Sequence, residues 1–436
     1  MKEFSGRLLT QKQVEEKGLR DAVRLEATIN VAGKASCRRC GSAFSKEARL
    51  PDGSFYCSAC ILMGRVCSND DFFALPVEKI EGGDFLRWQG ELTSYQSQVA
   101  AGMLTAYENK EACLVQAVTG AGKTEMLYPL LAKALSEGKT VCLASPRIDV
   151  CQELHVRLNR DFTCAIPLLY GEGDQEHMDR LTIATTHQLL KFYHAFDVLI
   201  IDEVDAFPYV DNPMLYHAVQ QAVAENGVHF YLTATSTEAL NKQVAAGTLK
   251  RLSLPRRFHG NPLVVPEGKW LPGIRDKVRK KRLPKKLLRD LSRQRKTGFP
   301  LLIFVAEIVF GQELQSIIQN SFPLEKVGFV SSVTEDRKEI VEAFRKGEWT
   351  ILISTTILER GVTFPKVDVF VVEAHHILFT QSSLIQIAGR VGRSLERATG
   401  ICRFYHEGQT KAIKGAIEEI KALNREAGFG EETSEE

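Results

Sequence analysis

The chain lacks a charge of one sign: 56 Lys and Arg stand against 54 Asp and Glu, a formal balance of +2. That total gives no hint of a polyanionic partner, so charge must be read from local patches. A long apolar run is also missing. The longest stretch, around residues 300–310, contains Glu307 and is too short to cross a bilayer. The opening Met1-Lys2-Glu3-Phe4 lacks the apolar run of a signal peptide. The expectation is a protein that stays inside the cell. Short-period repeats and low-complexity segments are absent too, and with 44 % apolar and 25 % charged residues a disordered or collagenous chain is excluded.

What is present is length and rhythm. At roughly 100 to 200 residues per domain, 436 residues predict two to four domains. From about residue 110, short apolar runs alternate with longer amphipathic stretches: 112–117, 141–144, 181–184, 197–201 and 228–232. That alternation predicts βαβ units in a parallel sheet. It breaks over the Pro- and Gly-containing 255–272, then resumes at 301–305, 327–330, 350–354, 369–372 and 401–405. A second α/β unit is expected, with a cleft between the two. The boundaries read as an N-terminal region over 1–84, a first α/β domain over 85–260, a basic linker over 261–297 and a second α/β domain over 298–436. Between Arg275 and Lys296 there are twelve Lys or Arg and two Asp, whereas the C-terminus is acidic. The basic stretch reads either as a lining for nucleic acid or as a solvated helix.

Half of the ten cysteines precede residue 84. In a reducing compartment a regular cysteine spacing points to metal or redox chemistry rather than a disulfide framework. Cys37, Cys40, Cys57 and Cys60 form C-x2-C-x16-C-x2-C, with Gly41 after the first pair and Gly53 before the second. Two such turns bring four thiolates together for a tetrahedral zinc. Four protein ligands leave no open position for water, so the metal is expected to be structural. Cys67 fits this spacing less well, and the remaining cysteines read as small core residues.

Ala117-Val118-Thr119-Gly120-Ala121-Gly122-Lys123-Thr124 follows a predicted strand and opens a predicted helix. That context defines a phosphate loop. Its glycines let backbone N–H groups approach phosphate, Lys123 neutralises β/γ oxygens and Thr124 ligates Mg2+. Ala117 stands where the general pattern has glycine. Asp202-Glu203-Val204-Asp205 ends the apolar strand 197–201, placing Asp202 to hold Mg2+ and Glu203 to activate water. Gln386-Ile387-Ala388-Gly389-Arg390-Val391-Gly392-Arg393 in the second unit supplies Arg390 and Arg393 against charge developing on the γ-phosphate.

In this order the motifs resemble the superfamily 2 helicase and translocase core. Leu92-Thr93-Ser94-Tyr95-Gln96 matches the adenine-reading motif. Ala144-Ser145-Pro146-Arg147, Thr185-Thr186-His187-Gln188 and Thr233-Ala234-Thr235 look like further first-domain motifs. Ile303-Phe304-Val305 and the 355–363 run Thr355-Thr356-Ile-Leu-Glu-Arg-Gly361-Val-Thr363 look like second-domain motifs. The resemblance implies an α/β fold with two tandem RecA-like domains, and Gln96 on adenine. It also implies Gly361 near the nucleotide, and Thr233 and Thr235 coupling hydrolysis to movement. Asp202-Glu203-Val204-Asp205 is neither DEAD nor DEAH, and Thr363 replaces an aspartate found in many relatives.

The four-cysteine module ahead of this core makes the chain most similar to the late-competence DNA translocases of transformable Gram-positive bacteria. That resemblance implies an ATPase stimulated by single-stranded DNA. It implies a place in the cytosol with a peripheral link to a membrane uptake channel, and a ComFC-like phosphoribosyltransferase partner together with the mediator DprA. Pro146, Arg147, Thr185, Thr186 and His187, with Thr355 in the second domain, are the candidate backbone grips. Phe85 and Trp88 read either as adenine packing or as core. An RNA helicase, a fork-restart helicase and a nucleotide-gated scaffold that never moves along DNA remain alternative readings.

Overall fold

The computed structural model describes residues 4–171, 177–359 and 364–430. Gly361 and Thr363 lie outside the described residues, as does nearly all of the acidic C-terminus. By its contacts the chain forms two compact units. One comprises residues 1–116 with 123–253, the other residues 117–122 with 254–436.

The first unit is built on a seven-stranded sheet. Its order is Lys250–Leu254, Cys113–Ala117, Val223–Thr233, Phe196–Ile201, Val141–Ser145, Leu181–Thr185 and Leu168–Leu169. The pairings among the inner strands are parallel. In Cys113–Ala117, Val141–Ser145 and Phe196–Ile201 the side chains are mostly apolar and nearly all buried, as a strand covered on both sides requires. Because neighbours run parallel, several motif-bearing turns leave the sheet at its carboxyl edge. Pro146-Arg147, Thr186-His187, Asp202-Glu203 and Ala234-Thr235 follow their strands there.

Helix starts are chemically marked. Thr93 caps Ser94–Asn109 in a reciprocal box with Gln96. Asn212 accepts from Leu215 N and is followed by Pro213 at the head of Pro213–Ala222.

The N-terminal region adds a three-stranded antiparallel sheet of Leu8–Thr10, Asp71–Ala74 and Val23–Glu26, and a hairpin of Thr28–Val31 with Lys34–Cys37. It does not stand apart from the α/β layer. The four cysteines share a core cluster with Leu215, Ala218, Val219 and Ala222 of the helix Pro213–Ala222. Gly41, at φ +71°, lies so close to His217 that a Cβ there would sit 2.7 Å from the ring, and His217 Nε2 meets Arg38 O at 2.7 Å.

The second unit carries a six-stranded parallel sheet. Its order is Glu267–Trp270, Cys402–His406, Asp368–Val371, Leu301–Phe304, Ile351–Ser354 and Val327–Val330. These are two RecA-like parallel-sheet domains with a small four-cysteine module at the N-terminus.

The segment read as a linker is folded into the second unit. Its basic stretch forms the helices Ile274–Arg279 and Lys285–Arg295, which bury Ile274, Val278, Leu287 and Leu291 in the core. Arg275 pairs with Glu373 and Glu307, and Arg295 with Glu325. Part of this basic charge is therefore committed to ion pairs.

Candidate nucleotide site and metal centre

The phosphate loop has the backbone that its sequence predicts. Gly120 and Gly122 adopt φ +79° and +75°, where a Cβ is disfavoured, and the helix Lys123–Ser136 begins at the lysine. Its first-turn N–H groups and the positive end of its dipole offer an anion site. Ala121 and Thr124 are buried.

Lys123 Nζ lies 3.5 Å from Asp202 Oδ1, with both side chains about one-fifth exposed. The lysine and the acid are thus already opposed at one sheet edge. Asp202 Oδ1 also accepts from Glu203 N at 2.8 Å, and Glu203 takes the left-handed φ of +56°. A non-glycine residue held there is a local strain typical of functional turns. Asp205 Oδ2 accepts from Thr235 Oγ1 at 2.5 Å, tying the acidic turn to the Thr233-Ala234-Thr235 turn.

Other predicted residues have more local partners. Gln96 is buried, and its Oε1 accepts from Thr93 N and Thr93 Oγ1, so the carbonyl serves as a helix cap. Trp88 packs edge-on to Tyr128, which packs on Phe162. Phe85 lies beneath the Arg180 guanidinium. Both aromatics belong to packing clusters of the first unit.

Arg147 is engaged with Asp149 through two hydrogen bonds. Thr186 is fully buried, so its side chain offers nothing to a backbone passing outside, whereas His187 is exposed. Pro146, Thr185 and Thr355 are partly exposed at strand ends.

In the second unit, Thr119 Oγ1 donates to Gly389 O at 3.3 Å, and Arg393 Nε donates to the same carbonyl at 2.9 Å. Arg390 is 1 % exposed. A Cβ on Gly389 would meet Thr119 Oγ1 at 2.0 Å, which explains a glycine at this point.

The four Sγ atoms of Cys37, Cys40, Cys57 and Cys60 lie within 4.8 Å of one another, with pairs at 3.5, 3.5 and 3.9 Å. Zn–S bonds of about 2.3 Å give a tetrahedral edge of about 3.8 Å, so the residues present fit zinc. Cys67 is outside this group. The spacing did not reveal Arg39. This residue is 4 % exposed, and its guanidinium donates to Cys60 Sγ and to the carbonyls of Cys60, Met63 and Gly64. Its positive charge offsets part of the excess negative charge of four thiolates around a divalent ion.

A phosphate loop opposed by a strand-end acid pair, with a second parallel-sheet unit bearing the arginine motif, defines a superfamily 2 helicase core. Residues 93–243 match the DEAD/DEAH box helicase family, and residues 280–394 match the helicase conserved C-terminal domain. The fold agrees with solved helicases. The chain is similar to Mss116p bound to ssRNA and AMP-PNP, with a TM-score of 0.54 at 18 % identity over 78 % of each chain. It is also similar to Mycobacterium smegmatis Lhr bound to ssDNA and AMP-PNP, with a TM-score of 0.53 at 14 % identity over 77 % of this chain and 50 % of that one.

Two relatives cover nearly all of the sequence. Competence protein ComFA of Streptococcus pneumoniae is 56 % identical over 427 residues, 98 % of this chain and 99 % of that protein. ComFA of Bacillus subtilis is 38 % identical over 396 residues, 89 % and 85 % of the two. The chain belongs to the ComFA family of competence proteins. Its helicase domains imply an ATPase.

Proposed function

We propose that this chain is an ATP-driven translocase on single-stranded DNA that draws transforming DNA into the cytosol during competence. The observation that carries this reading is the opposition of Lys123 to Asp202 at the carboxyl edge of a parallel sheet, directly at the head of the phosphate-loop helix. Lys123 and the loop N–H groups hold the phosphates, and Glu203 orients and deprotonates the attacking water. Thr124 and Asp202 would hold Mg2+, which supplies charge neutralisation on the phosphate oxygens when bound. Arg390 and Arg393 stabilise the charge that builds on the γ-phosphate; such arginines can be worth roughly 10³ to 10⁵ in rate.

Loss of the γ-phosphate removes an attraction that favours one conformation, and the resulting population shift moves the grips on the strand. Pro146, Arg147, Thr185 and His187 in the first unit and Thr355 in the second are the proposed grips. Backbone amides and hydroxyls there bind phosphate without reading bases. Gln96 contacts adenine. The exposed part of the basic stretch 275–296 adds a salt-sensitive attraction to DNA. The ComFA kinship supports a cytosolic location at the inner face of the membrane, with a ComFC-like protein and DprA as partners.

The test is ATP turnover with matched single-stranded DNA and RNA, for the wild type and Glu203→Gln. DNA should accelerate the wild type more than RNA does, and Glu203→Gln should lose turnover with either polymer. Equal acceleration by both polymers would exclude the DNA-specific reading.

A further inference from the structure

Arg257 belongs to none of the motifs described above, yet it is 2 % exposed beside two of them. The segment that carries it runs along the phosphate loop: Val118 N donates to Leu254 O, and Phe258 N donates to Gly120 O, both at 3.1 Å. The face of Gly120 where a Cβ would stand is 3.9 Å from Arg257 Cγ and Cδ and 4.0 Å from Nε. At its other end the guanidinium grips the arginine-motif loop. Nη1 donates to Val391 O at 2.8 Å and also to Gly392 O, while Nη2 donates to Gly389 O at 3.2 Å. His259 Nε2 meets Gly392 O at 3.0 Å. Gly392 sits at φ +71°, and a Cβ there would crowd both the Ala398 carbonyl and Arg257 Nη1, the latter at 2.9 Å, so the close approach of the guanidinium needs a glycine at this point.

The electrostatics of this arrangement are unusual. Burying a guanidinium is costly, and most so when no carboxylate accompanies it. Among the described residues Arg257 forms no ion pair with a carboxylate, and its Nε has no hydrogen-bond partner. Burial, and secondarily the charge of Arg393, push its pKa down to about 9.

We propose that Arg257 is a positioning residue for ATP hydrolysis: by holding the carbonyls of Gly389, Val391 and Gly392 beside Gly120, it sets the loop from which Arg390 and Arg393 act. This inference rests on the reading of the nucleotide site given above. Three carbonyls held by one planar donor fix the loop in a way that a hydrophobic contact does not. Arg257 therefore acts on the rate rather than on the affinity for ATP.

The experiment measures kcat and KM for ATP, and melting temperature, with the full chain. The variants are Arg257→Ala, Arg257→Lys, Arg393→Ala and the Arg257→Ala/Arg393→Ala double, with Glu203→Gln as the control for the parent reading. For Arg257→Ala we expect kcat to fall roughly 10- to 100-fold, below the loss that removal of the arginine itself can cause, with KM within about threefold of wild type. The double variant should be less than about threefold slower than the slower single, because both changes remove one device. Arg257→Lys should recover part of the rate, and it carries the test if the alanine variant does not fold.

The proposal is overturned if Arg257→Ala keeps kcat within about threefold of wild type, or if the two losses multiply. It is also overturned if KM and melting temperature change while kcat does not. An inactive wild type, or Glu203→Gln turning over like wild type, would instead remove the parent reading.

Discussion

Replacing Thr235 by valine removes one hydroxyl and keeps the shape of the side chain. That hydroxyl donates at 2.5 Å to Asp205 Oδ2, and the two residues are 4 % and 8 % exposed. A hydrogen bond to an ionised group in such surroundings contributes about 1.5 to 3 kcal/mol, because the carboxylate cannot recover the lost donor from bulk water. At about 2 to 4 °C per kcal/mol for a unit of this size, the first unit should melt roughly 3 to 12 °C lower. Differential scanning calorimetry of Thr235→Val against wild type reads this directly. Thr235→Ser retains the donor and should recover more than half of the loss. If Thr235→Val melts within about 1 °C of wild type, or Thr235→Ser falls as far as Thr235→Val, the hydroxyl link between the acidic turn and the 233–235 turn does not stabilise the fold.

Two further outcomes are expected. Arg39→Ala removes the guanidinium that donates to Cys60 Sγ and three nearby carbonyls. Zinc should then pass to a chromogenic chelator roughly 10- to 100-fold more readily, and an unchanged transfer rate would contradict the role given to that charge. His229, on the strand Val223–Thr233, has its pKa pushed down to about 4 by burial. The unfolded chain takes up its proton near pH 6.5 and the folded one only near 4. Stability is therefore full above about 6.5 and is lost as pH falls towards 4, by about 2 to 3 kcal/mol. Urea midpoints of wild type and His229→Gln between pH 7 and 4.5 should show a shallower decline in the variant.

The inner strands were legible because most are short apolar runs between turns: 141–144 and 301–305 emerge as Val141–Ser145 and Leu301–Phe304. Among the edge strands, Val327–Val330 was equally legible, but two others were not. Glu267–Trp270 reads Glu-Gly-Lys-Trp, with a single large apolar residue, because this edge strand faces solvent and carries no buried pattern. Leu168–Leu169 is too short to show a period. The basic stretch reads as surface from its charge, yet Leu287 and Leu291 at helical spacing carry its inner face into the second core.

At the site, spacing identified the four cysteines, whose thiols the fold gathers, and the phosphate loop, whose glycines adopt the expected backbone. Spacing could not reveal Arg257. Its partners Gly389, Val391 and Gly392 lie more than 130 residues further along the chain, and the pair Arg256-Arg257 before Phe258 and His259 carries no local pattern. Arg39 was equally hidden inside its own motif, since C-x-x-C fixes the ligands and leaves the intervening positions free.

Displacement of streptavidin from biotin at either end of a single-stranded DNA most directly tests whether ATP turnover does work on the strand. With ATP, the wild type should clear streptavidin from one end faster than from the other. Glu203→Gln with ATP, or the wild type with AMP-PNP, should clear neither. Equal clearance without hydrolysis, or DNA-stimulated hydrolysis that clears neither end, would contradict a translocase.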